Sequence, residues 1–186
     1  PIIAGIKPGN SGKIEAIIHY AFPTMKHDLP SFALLIDADN VSKDAIAPII
    51  EEITRHARLT VKRVYGDFTT ANLAGWRETL ANHGIHPIQQ YRNSTGKNAS
   101  DSALIIDAMD LLYTRRFDGY CLVTSDSDFT RLAMRLREEN MYVIGMGESK
   151  TPMALTKACN KFIHLNLINK QVNDEETALP ANSRKK

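Results

Sequence analysis

The sequence predicts an α/β fold of three layers, with helices on both faces of a mostly parallel sheet of five to six strands. Three observations carry this. From Ser31 onward, short apolar runs alternate with segments of helical periodicity. The connections between them are short, which favours strand-helix-strand units with right-handed crossovers. The first apolar run, Ala33 to Ile36, has no polar interruption and reads as a strand buried on both faces.

That strand, Phe32 to Asp37, opens the fold. A helical pattern follows to about Ala57, with Ile46, Ile49, Ile50 and Ile53 on one face and Ser42 or Asp44 as the expected N-cap. Pro48 fits within its first turns. The second strand is Leu59 to Tyr65, the second helix runs from about Thr70 to His83, and Gly84 terminates it. The third strand spans Ile85 to Tyr91. A polar loop, Arg92 to Asn98, leads into a third helix from about Ala99 to Arg115. The fourth strand is Tyr120 to Thr124, followed by a helix from Phe129 to Glu139. A fifth strand from Tyr142 to Met146, a short helix from Pro152 to Ala158 and a last strand from Phe162 to Leu165 complete the domain.

The domain thus occupies residues 31–168, with an N-terminal extension at 1–30 and a polar tail at 169–186. The chain's 186 residues are 43% hydrophobic and 24% charged, enough for a real core and too apolar for disorder. A net charge of +2 neither announces nor excludes a nucleic-acid partner. No apolar run approaches a membrane span, and no secretory signal is expected. Met25 is a candidate natural start. Cys121 and Cys159 lack metal-site spacing and read as reduced core cysteines of a cytosolic-type protein.

The first strand runs directly into Asp37, Asp39 and Asn40. In open α/β sheets, ligands bind beyond the carboxyl ends of the strands, at the switch point where the strand order reverses. The fourth strand delivers Ser125, Asp126 and Asp128 to that edge, and the third helix delivers Asp101 in its first turn. Two carboxylates about 4 Å apart repel by roughly 4 kcal/mol at an effective dielectric near 20. A hard divalent cation relieves that repulsion. With no histidine or cysteine in the set, Mg²⁺ or Mn²⁺ is favoured over zinc.

Each residue also has a plainer role open to it. Asn40 could cap the first helix or touch substrate, Asp128 could cap the fourth, and Asp101 could simply complement a helix dipole. Asp67 reads as a turn residue, and Asp107 as structural or one step removed from the site. Arg92, Lys97, Arg131 and Lys150 lie near the expected rim, where cations would meet phosphate. Arg55, Arg58, Lys62 and Arg63 read as surface charges, and Trp76 as packing.

Three blocks then resemble a known family. Ile36-Asp37-Ala38-Asp39-Asn40, Gly96-Lys97 with Asp101, and Val123-Thr124-Ser125-Asp126-Ser127-Asp128-Phe129 are similar to the signature blocks of NYN domains, PIN-like nucleases, and most of all to the LabA-like (DUF88) branch. The resemblance spans about Phe32 to Leu165. It implies a Rossmann-like α/β/α fold and a ribonuclease dependent on Mg²⁺ or Mn²⁺. Asp37, Asp101, Asp126 and Asp128 match its acids, and Asp39, Asn40 and Ser125 its further polar positions. One departure is the absence of the glycine that often follows the position of Ser125. The resemblance also implies RNA as partner, leaves a homodimer open, and suggests a LOTUS (OST-HTH) RNA-binding module downstream in a longer chain.

Two other functions fit the same residues. Asp37-Ala38-Asp39 resembles the start of haloacid dehalogenase-type phosphohydrolases, with Asp37 as nucleophile and Asp126 and Asp128 holding Mg²⁺. Alternatively, the domain is a catalytically inactive scaffold that binds RNA.

Overall fold

A computed structural model describes residues 29–91 and 99–168. Its sheet has six strands: β1 (Ser31–Asp37), β2 (Arg58–Gly66), β3 (His86–Gln89), β4 (Gly119–Val123), β5 (Tyr142–Gly147) and β6 (Lys161–His164). Their order is β3-β2-β1-β4-β5-β6, and every pairing is parallel. The helices are α1 (Ile46–Thr54), α2 (Trp76–His83), α3 (Ala99–Tyr113), α4 (Thr130–Glu138) and α5 (Met153–Ala158). The predicted three-layer α/β fold is therefore present.

Two apolar cores lie on the two faces of the sheet. Leu34 and Ile36 of β1 point to one, with Ile46, Ile49 and Ile53 of α1 and with Trp76. Ala33 and Leu35 point to the other, with Leu104 of α3 and Leu132 and Leu136 of α4. All seven residues of β1 are buried, as the unbroken apolar run predicts. Because side chains alternate along a strand, Asp37 shares the face of Leu35 and so looks towards α3. Cys121 and Cys159 are both free and buried, one in each core, and burial pushes the Cys159 thiol up to about 11.

Several boundaries move, each for a local reason. α1 ends at Thr54 rather than near Ala57, since His56 and Ala57 both donate to the Ile53 carbonyl and close the last turn. Ser42 is the cap at this end, over a 3-10 turn (Lys43–Ala45) that precedes α1, so Asn40 does not cap. α2 starts at Trp76 rather than Thr70. Asp67 ties up the intervening stretch by accepting from the Thr69 amide and hydroxyl and from Gln89, and such local bonds compete with helix. That is the turn role expected of Asp67. Gly84 ends α2 at φ +58°, with its amide bonded back to Leu80 and Ala81.

Arg63 is not a surface charge. It is about three-tenths exposed and pairs with Asp107 of α3, whose other carboxylate oxygen accepts from the Tyr65 hydroxyl. Burial and the Asp107 charge push the Tyr65 phenol well above its ordinary range. This network fastens α3 to β2 from the helix side. Trp76 is buried and packs edge-on to Phe68, as expected of a packing residue.

Candidate active site at the switch point

β1 lies between β2 and β4, so the strand order reverses at the β1/β4 pair, where Ile36 faces Val123. The chain then leaves both strands at one edge. Asp37 ends β1 and is only 1% exposed. Its Oδ2 accepts from Asn40 Nδ2 at 2.7 Å and from the Thr124 hydroxyl at 2.9 Å, while Oδ1 accepts the Asp39 amide at 3.1 Å. Burial raises its pKa, and the three donors only partly offset this. A carboxylate has about four acceptor positions, so Oδ1 keeps one for a further partner.

Asn40 is thus a brace for Asp37 rather than a helix cap. Thr124 is the matching brace from β4, and its hydroxyl oxygen also accepts the Asp126 amide at 3.1 Å. One buried threonine therefore connects Asp37 with the Asp126 loop. Sequence reasoning assigned Thr124 no role; its place between a strand and the Ser-Asp-Ser-Asp run was the available signal. Asp126 carries the cap expected of Asp128: its side chain accepts the Asp128 amide at 2.9 Å and opens a 3-10 turn (Ser127–Phe129) ahead of α4.

Ser125 accepts the Glu148 amide at 2.8 Å, tying the β4 loop to the β5 loop. Gly147 makes this approach feasible, since a Cβ there would lie 2.5 Å from the Thr124 carbonyl oxygen and 2.9 Å from the Ser125 hydroxyl. This glycine, too, went unread in the sequence.

Asp101 enters from the first turn of α3. Beside it, Ser100 donates to Asp39 at 3.2 Å. Burial, then the charges of Asp37, Asp126, Asp39 and Asp128, push the Asp101 carboxyl from 3.8 up to about 6. Asp37, Asp126, Asp39 and Asp128 therefore all lie within electrostatic reach of Asp101. Lys97 and Arg92 fall outside the described residues. Arg131 is exposed, and Lys150 pairs with Glu148 at 2.9 Å.

The donor set is all carboxylate oxygen, suited to Mg²⁺ or Mn²⁺. Among the described residues, no three histidine, cysteine, aspartate or glutamate side chains form a ready-made cage. Mg²⁺ does not require one, because it is usually held by one or two carboxylates and retains several waters. The residues present fit such an ion. They fit the nucleophile role of Asp37 poorly, since that carboxylate is buried and already accepts three hydrogen bonds.

The clustering has a consequence for stability. Asp101 holds its proton more firmly in the folded chain than in the unfolded one, so folding takes up a proton between pH 3.8 and about 6. Its contribution to stability falls as pH rises through that window. Asp101→Asn is expected to raise the melting temperature at pH 7 and flatten its pH dependence between 4 and 6. An unchanged melting curve at both pH values would contradict the clustering.

A three-layer sheet with acidic residues at its switch point places the chain among the α/β proteins that bind ligands beyond the carboxyl ends of their strands. The NYN domain family model matches residues 31–166. The chain belongs to that family, within the PIN-like nuclease superfamily. Among solved structures, it is similar to a protein of unknown function from Vibrio parahaemolyticus. The TM-score is 0.62 at 16% identity, covering 76% of this chain and 96% of that one, a likeness of fold. No curated protein matches the chain. Among the described residues, no helix is long and apolar enough to cross a membrane.

Proposed function

We propose that the protein is a ribonuclease of the LabA-like (DUF88) branch that hydrolyses RNA phosphodiester bonds with Mg²⁺ or Mn²⁺. The observation that carries this reading is the convergence of Asp37, Asp101, Asp126 and Asp128 from two strand ends and a helix start, registered in the raised Asp101 carboxyl. These four residues would hold the metal. Bound there, a divalent ion would lower the pKa of water and stabilise the leaving oxygen.

The chain's own residues supply orientation. Asn40 and Thr124 fix the Asp37 carboxylate, and Thr124 sets the Asp126 loop at the same time. Asp101, half-protonated near pH 6 beside its acidic neighbours, would give up its proton as a cation arrives, so cation affinity would rise with pH. The test is incubation of end-labelled single-stranded RNA with the protein. Cleavage is expected with Mg²⁺ or Mn²⁺, none with chelator, and recovery when metal is restored. Intact RNA that is nevertheless bound would favour the inactive scaffold instead.

A further inference from the structure

A second recess of about 440 Å³ adjoins the acidic cleft on the other face of the sheet edge. Leu73 and Trp76 close its base from within the core, and its walls are polar, with Lys43, Asn72, Glu148 and Lys150 among them. Asp39, Asn40 and Ser125 line it as well, so it opens onto the residues that border the acids. Ser100, next to Asp101, reaches Asp39 from the α3 side, so the turn at Asp39 separates the two compartments.

The lysines sit where a phosphate could recruit them. Lys43 pairs with its own neighbour Asp44 at 3.2 Å, and Lys150 with Glu148 at 2.9 Å. Such exposed pairs hold weakly and exchange readily for a stronger anion. The stem of Lys43 lies across Gly75, where a Cβ would stand 3.2 Å from its Cε. The missing side chain lets Lys43 lie close over the rim.

We propose that this recess is a nucleotide subsite, taking one nucleotide that flanks the phosphate held at the acids. This rests on the nuclease reading of the neighbouring cleft. Lys43 and Lys150 meet the flanking phosphate, and the Asn72 amide offers a donor and an acceptor to the edge of the base. The volume lies within the range of about 300–1,000 Å³ usual for small-molecule clefts. That suits a single nucleotide.

The test uses a five-nucleotide, fluorescein-labelled RNA and fluorescence anisotropy in Mg²⁺, in an Asp126→Asn background that keeps the RNA intact. Lys43→Ala with Lys150→Ala removes two phosphate contacts. At roughly 0.7 in log-log salt slope per contact, the parent should lose about sevenfold more affinity than this variant over a fourfold rise in salt. Arg58→Ala with Lys161→Ala changes the charge equally at the opposite ends of the strands, where β2 and β6 begin. It should leave affinity and slope unchanged. Equal weakening by both pairs, or no weakening by the groove pair, would overturn the proposal. A failure of the nuclease reading would appear separately, as intact RNA with unmutated protein.

Discussion

Asp126→Asn is expected to reduce RNA cleavage by about 10²–10³-fold, the usual cost of deleting one group that stabilises developing charge in a transition state. Asp37→Asn should do the same. The two changes act on different parts of the site. Asp126 also caps the 3-10 turn before α4 through the Asp128 amide, and an asparagine retains an oxygen for that bond. Asp37 is buried with a raised pKa, so neutralising it relieves a desolvated charge. An amide NH2 in place of one oxygen faces one of the three donors and offsets that relief, so Asp37→Asn should melt close to the parent while losing activity. Cleavage rates of purified variants, with melting curves alongside, check both. Equal cleavage by parent and both variants would identify the activity as a contaminant.

Asp107→Ala is expected to cost about 2–3 kcal/mol of stability, below the roughly 3–5 kcal/mol for breaking a fully buried pair because this one is partly exposed. Asp107 is 22% and Arg63 29% exposed. The substitution strands two groups at once, the Arg63 guanidinium and the Tyr65 hydroxyl. Asp107→Asn keeps an acceptor for Tyr65 and should cost less. Urea unfolding at constant slope measures the difference. A loss below about 1 kcal/mol would mean that water solvates the network as it does an ordinary surface pair.

The strand ends were readable because burial leaves a local mark. An unbroken apolar run such as Ala33 to Ile36 reveals a central strand, and a carboxylate at its end stands out. Pairing β1 with β4 followed from the order expected of a doubly wound sheet, and it brought Asp37 and Asp126 together. The bracing was less legible. Asn40 turned back to Asp37, and Thr124 reached it across the sheet over 87 positions. No local pattern encodes such a bond. Arg63 was misread for the same reason: its partner, Asp107, lies 44 positions away on a helix. The cap shifted from Asp128 to Asp126 because a 3-10 turn intervenes before α4, a detail that helical periodicity does not carry. Lys43 carries no mark in the sequence, and its place in a recess depends on α2 and the β5 loop meeting around it.

The central claim is that the clustered aspartates are a cation site, and a crystal soaked in Mn²⁺ tests it most directly. Anomalous scattering should place one or two ions at the β1/β4 edge, bound by carboxylates from among Asp37, Asp101, Asp126 and Asp128. Mn²⁺ found elsewhere, or no peak in that cleft at millimolar concentration, would contradict it.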